Sequence, residues 1–140
     1  MISTRHDDMN DLMKMFDTES ISEAGSWLHL NVPGTKEKAY ADEAQTKPLR
    51  IKLKGPDSDE WVSFVRKSQR SSSDEMSNKE LVERDAELYK NMTLSIENIP
   101  GHAMDEKSLL SMYAQYKDIR SQVLSHIMNR ENFTLKPESA

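Results

Sequence analysis

The residue types best able to do chemistry are scattered along this chain. Four histidines, His6, His29, His102 and His126, could each ligate a metal or carry a proton, but no two sit at ligand spacing with a carboxylate to complete a site. A surface or structural histidine is the simpler reading of each. There is no cysteine, which removes disulfides, thiolate metal sites and cysteine nucleophiles. Gly55-Pro56-Asp57-Ser58 has the small residues of an anion-binding turn but lacks the lysine and glycine spacing of a phosphate loop. No serine lies in a nucleophile elbow, and the serines of Ser71-Ser72-Ser73 are no more than a linker signal. The carboxylate pairs Asp7-Asp8, Asp57 with Asp59, and Asp74-Glu75 fall at helix starts or linkers, where capping and solvation account for them. These residues point away from an enzyme and call for no metal or cofactor.

The strongest charge feature is positive. Between residues 47 and 70 seven bases, Lys47, Arg50, Lys52, Lys54, Arg66, Lys67 and Arg70, stand against three acids, Asp57, Asp59 and Glu60. Such a face could meet nucleic acid or an acidic protein surface, the chain's own acidic N-terminus included. Aromatic residues do not interleave with these bases, because Trp61 and Phe64 are needed inside, so a solvated face is preferred to a nucleic-acid interface. The whole chain carries a net charge of −5 at pH 7, which argues the same way.

The elements that would position these residues follow from periodicity. In Leu49 to Lys54 the aliphatics Leu49, Ile51 and Leu53 alternate with Arg50, Lys52 and Lys54, the signature of a half-buried strand. Gly55-Pro56 stops it, and Asp57 or Ser58 can cap a helix running to about Arg70, with Trp61, Phe64 and Val65 on one face. Upstream, Leu28, Leu30 and Val32 alternate with Trp27, His29 and Asn31 in a second strand ended by Pro33-Gly34, and residues 35–47 form a long polar loop. The two strands pair antiparallel and lean on the helix. A short helix over Asp7 to Phe16 carries Met9, Leu12, Met13 and Phe16 on one stripe, and residues 1–25 hold two bases against six acids.

Beyond a boundary at 71–77, Ser77 or Asn78 opens a helix whose stripe runs through Val82, Ala86, Tyr89, Met92 or Thr93, and Ile96 to a stop at Ile99-Pro100-Gly101. A further helical region from Asp105 or Glu106 aligns Leu109, Met112 or Tyr113, Tyr116, Ile119, Val123 and Ile127, as one helix or as two meeting near Tyr116 to Asp118. Phe133 is a final apolar anchor, and residues 135–140 are a tail. The expected fold is α+β and mostly helical: a small antiparallel β-ribbon packed on a helix, followed by a C-terminal helical bundle, in one domain of 140 residues.

Only 36 % of the residues are apolar and 31 % are charged, so the core is small for the surface and a partner is expected to cover part of it. No stretch approaches the length of a membrane span, and the first residues run into acids without the apolar core of a signal peptide. Nine methionines supply adaptable apolar surface.

Taken in order, several motifs resemble the tail assembly chaperones of long-tailed bacteriophages. They are Trp27-Leu28-His29-Leu30, Gly55-Pro56-Asp57-Ser58-Asp59-Glu60-Trp61, Ala86-Glu87-Leu88-Tyr89 before Ile99-Pro100-Gly101, Leu109-Leu110-Ser111-Met112-Tyr113, Ile119-Arg120-Ser121-Gln122-Val123 and Asn129-Arg130-Glu131-Asn132-Phe133. The resemblance covers residues 26–134 and is most distinctive in the last two motifs. It implies binding rather than chemistry: such proteins coat the largely helical tape measure protein in the host cytoplasm before the tail tube polymerises, and are absent from the finished virion. Many exist in a short and a frameshift-extended form, of which this chain is similar to the short one. The implied partners are therefore the tape measure protein, with the extended form, the tail tube protein and further copies of the chain also open. Leftover apolar faces of the C-terminal helices, including Tyr113, Tyr116, Val123 and Ile127, are the expected contacts, although for each residue taken singly a place in the core is the preferred reading. A structural virion component is the alternative, and a small nucleic-acid-binding regulator using Arg50, Lys52 and Lys54 a weaker one.

Overall fold

The computed structural model describes residues 12–70 and 76–134. The elements are α1 (Thr18–Ala24), β1 (Ser26–His29), β2 (Arg50–Leu53), α2 (Asp59–Arg70), α3 (Asn78–Met92), β3 (Thr93–Glu97), α4 (Glu106–Gln115), α5 (Lys117–Met128) and a closing 3₁₀ turn (Arg130–Phe133). The fold is α+β and mostly helical, with a small antiparallel sheet. Most of the boundary at 71–77 and all of the tail at 135–140 fall outside the described residues.

The ribbon gains a third strand. The sheet order is β1-β2-β3, with Leu28, Ile51 and Ile96 in one cross-strand row and Trp27, Lys52 and Ser95 in the next. The stripe that predicted helix as far as Ile96 breaks at Thr93 for a local reason. The Thr93 hydroxyl donates to the Tyr89 carbonyl at 2.6 Å, satisfying a last-turn acceptor, and the Thr93 amide closes the helix on Lys90. With that hydrogen committed, the buried Tyr113 hydroxyl donates to Thr93 Oγ1, also at 2.6 Å. Ile96 satisfies a period of three to four and a period of two alike, and pairing with β2 decides between them.

One face of the sheet builds the core. Ile51 and Leu53 meet Tyr89 and Met92 of α3, Leu109, Met112 and Tyr113 of α4, and Val123 and Ile127 of α5. The last helical region is two helices. They meet at Tyr116, whose extended backbone ends α4 and starts α5 with no glycine or proline. Arg120 holds this corner by donating to the carbonyls of Tyr113 and Ala114 at 2.8 and 3.1 Å, a cation at the negative end of α4.

The caps match the sequence at Ser77, which accepts from the Glu80 amide, and at Asp105, which accepts from Ser108. The start of α2 is different. Ser58 is buried and turns its hydroxyl back to the Gly55 carbonyl at 2.7 Å, while Asp57 accepts from Arg130 at 2.6 Å. Glu23 of α1 instead accepts from the Asp59 amide at 2.9 Å, so a neighbouring element supplies the cap.

The final anchor closes on the same corner. Phe133 is buried, and a Cβ on Gly55 would stand 2.6 Å from its ring and from Ser22 Oγ, so only glycine fits there. His126 fastens the closing turn: Asn132 Nδ2 donates to its Nδ1 at 3.1 Å, leaving Nε2–H to donate to Ser26 Oγ at 3.2 Å. Burial lowers the His126 pKa below the usual histidine value. The unfolded chain therefore takes up a proton near pH 6.5, where the folded chain resists it, so stability is full above about that pH and falls as pH drops below it. The expected result is a wild-type melting temperature that declines between pH 7.5 and 5.5 more steeply than that of His126→Gln, read from thermal melts; parallel profiles would refute it.

Candidate partner-binding groove

The long connection between β1 and β2 is ordered by a ring of three backbone hydrogen bonds. Leu30 N–H donates to Leu49 O at 2.9 Å, Leu49 N–H to Ala39 O at 3.1 Å, and Ala39 N–H to Leu30 O at 2.8 Å. Three passes of chain thus meet at one point, and their side chains Leu30, Ala39 and Leu49 lie together. His29 and Tyr40 stack edge to face at 5.0 Å beside the junction, and Nε2 of His29 reaches the Ala39 carbonyl at 2.9 Å. Farther out, Asp42 accepts from the Thr46 hydroxyl and from the amides of Thr46 and Lys47, which lowers its pKa. A segment that composition marks as a polar loop is a compact turn system with a small apolar floor.

The α4–α5 corner stands opposite this floor. Between them runs a groove of about 400 Å³ bordered by Leu30, Pro33, Ala39 and Leu49 on one side and Tyr116 and Ile119 on the other. Gln122 joins the two walls: its Oε1 accepts from the Asn31 amide at 2.7 Å and its Nε2 donates to the Asn31 carbonyl at 3.0 Å. A side-chain amide here does what a neighbouring strand would do, pairing both polar groups of one residue. Nε2 also donates to Asp118 at 2.7 Å, which sets the orientation of the amide. The floor is apolar and the ends are polar, a form suited to an apolar side chain carried on a helix or turn of another protein.

Of the four expected contact residues, the structure brings one to this groove. Tyr116 is 42 % exposed and stacks edge to face on His102 at 5.8 Å. Tyr113, Val123 and Ile127 are each 0 % exposed and fill the core, so they cannot touch a partner while the chain is folded. The helical stripe does not separate them, because Tyr116 interrupts the helix and leaves the phase of the others. The apolar surface of α5 that does face outward is Leu124 and Met128, one turn apart. The floor residues Leu30, Ala39 and Leu49 carry no local signal, since their proximity depends on hydrogen bonds across 9 to 19 residues of chain.

The basic strand is largely neutralised from within. Arg50 pairs with Glu97 at 2.7 Å, and Lys54 with Glu60 at 2.8 Å and with Glu23 at 3.2 Å. Burial opposes charge on Lys54, but these two carboxylates outweigh it and raise its pKa. The expectation that no aromatic interleaves with the bases is corrected by Trp27. Its register opposite Lys52 puts it on their face, with the Arg50 guanidinium 4.3 Å above its ring. That stacking leaves Lys52 as the one base of the strand without an ion pair among the described residues.

Among the described residues no group of three His, Cys, Asp or Glu gathers as a metal site, and no helix is long and apolar enough to cross a membrane. Comparison with protein-family models, curated sequences and solved structures finds no match to the chain.

Proposed function

We propose that the chain is a tail assembly chaperone of a long-tailed phage, which binds the tape measure protein in the host cytoplasm and keeps it soluble until the tube forms. The observation that carries the reading is the Tyr116 groove, a slot with an apolar floor whose two walls are joined by Gln122. The motif resemblance supplies the partner, and the groove supplies a place for it. Arg120, Gln122, Arg130 and Phe133, the most distinctive residues of that resemblance, all hold the α4–α5 region and the closing turn in place. Of these, Gln122 lines the groove and Arg120 fixes the corner that forms one of its walls.

Co-expression with the tape measure protein of the same genome tests the reading, with soluble yield and co-purification as readouts. Tyr116→Asp is the informative variant. Position 116 is the N-cap of α5, where its side chain makes no cap hydrogen bond, and also the C-cap of α4, so aspartate there adds a cap worth about 0.5–1 kcal/mol, opposed by its charge at the negative end of α4, while removing the aromatic wall. The expected outcome is a melting temperature close to that of the wild type together with at least a tenfold loss of co-purified partner. Unchanged partner yield with the variant would remove the groove from the account, and no effect of the wild-type chain on partner solubility would remove the chaperone reading itself. A stoichiometric amount of the chain in purified virions would favour a structural component instead.

A further inference from the structure

Two amphipathic faces are exposed among the described residues, and they stand in sequence surroundings of opposite charge. Residues 12–16 are helical, and all their large apolar side chains are exposed: Leu12, Met13, Met15 and Phe16, the last at 75 %. The sequence around them is acidic, with Asp7, Asp8, Asp11, Asp17 and Glu19 against Arg5 and Lys14. Four exposed apolar side chains on little more than one helical turn are more than a surface carries by chance.

The second face is the far half of α2. This helix is strongly one-sided yet has no fully buried residue; only Trp61 and Phe64 pack against the core, and every residue from Val65 to Arg70 is exposed. Val62, Val65 and Arg66 follow at three- and four-residue steps, with Arg70 one turn beyond. Arg66, Lys67 and Arg70 form no ion pair with another described residue. Residues 12–16 lead into α1, which meets α2 at its first turn through Glu23 and Asp59, whereas the basic face occupies the last turns of a helix about 18 Å long.

We propose that residues 12–16 of one copy dock on the Val62, Val65, Arg66 and Arg70 face of α2 in a second copy. The apolar stripe covers the valines, and the carboxylates of Asp17 and Glu19 that follow it meet the arginines. Because the two surfaces differ, the contact is heterologous: each new copy leaves one stripe and one basic face free, so association proceeds head to tail. None of the Tyr116 groove residues takes part, so this contact and the partner reading stand or fall separately.

Sedimentation of the full chain at low salt and high micromolar concentration tests it. The wild type is expected to exceed the 16.1 kDa monomer and to grow with concentration. Met13→Ser with Phe16→Ser removes the stripe, and Arg66→Glu with Arg70→Glu inverts the basic face; all four positions are exposed, so both variants should melt with the wild type. Each alone is expected to sediment as a monomer, while an equimolar mixture forms one heterodimer that grows no further, since each variant contributes the surface the other lacks. Arg66→Lys with Arg70→Lys is expected to retain association. A monomeric wild type, a variant that associates as the wild type does, or a mixture that stays monomeric would each overturn the proposal.

Discussion

Truncation of Phe133 to alanine will lower the stability of the chain by about 3–5 kcal/mol, the cost of emptying a buried aromatic site whose walls cannot close. Phe133 is only 5 % exposed, and its ring lies edge to face on His126 at 5.5 Å and against Gly55. The loss reaches beyond the ring. The 3₁₀ turn that carries Phe133 also presents Arg130 to Asp57 and Asn132 to His126, so loosening it releases contacts to the α2 corner and to the end of α5. Gly55→Ala is the companion test. In the wild type the new methyl collides with the Phe133 ring and with Ser22 Oγ, for a cost of about 1–3 kcal/mol. In the Phe133→Ala background half of that collision is gone, so the double variant should be more stable than the sum of the singles predicts by about 0.5–1.5 kcal/mol. Chemical denaturation of the four proteins gives the cycle, and strict additivity would show that Gly55 and Phe133 do not share the site.

How far this corner and the groove can be read from sequence differs for physical reasons. The strand at β2, the turn at Gly55-Pro56 and helix α2 follow from local rules: a period of two, a proline, then a period of three to four. The anchoring role of Phe133 follows as well, because an isolated aromatic after a helix end has few alternatives to burial. What closes over these elements does not follow. The contact of Gly55 with Phe133 joins positions 78 residues apart, and the ring through Leu30, Ala39 and Leu49 uses backbone groups, which every residue possesses and no sequence advertises. β3 is hidden for another reason, since Thr93 and Ile96 fit the helical stripe that precedes them. The Tyr116 break carries neither glycine nor proline, and the Arg120 side chain four residues later caps the carbonyls it leaves open. The result is specific: four residues on one predicted stripe divide into three that build the core and one, Tyr116, that stands exposed beside a groove.

Replacement of Gln122 by leucine will cost about 2–4 kcal/mol, although the side chain is only partly buried and the new one is more apolar. The reason is the pair of backbone groups it serves. Asn31 offers one N–H and one C=O toward α5, and Gln122 answers both, at 2.7 and 3.0 Å. Leucine leaves each unsatisfied in a place it shields from water, at about 1–3 kcal/mol per group, against a gain in apolar burial that is smaller. Gln122→Glu separates the two halves of the interaction. Its carboxylate still accepts from the Asn31 amide but faces the Asn31 carbonyl and the Asp118 carboxylate, which now accept from Gln122 Nε2 at 3.0 and 2.7 Å, with two lone pairs instead of two hydrogens. Both repulsions raise the glutamate pKa in the folded chain above its unfolded value. The unfolded chain then loses its proton first, so the variant is penalised at neutral pH and regains stability as the pH falls through the folded pKa toward the ordinary value near 4.3. Wild type minus Gln122→Glu, followed by denaturant midpoints from pH 7 to 4, should therefore shrink with acid, while wild type minus Gln122→Leu stays level over the same range. Because this amide fixes the separation between the β1–β2 junction and the α4–α5 corner, both variants should also weaken whatever the Tyr116 groove binds. An unchanged pH profile for the glutamate variant would mean that the two walls are held together by packing, with the Asn31 pairing incidental.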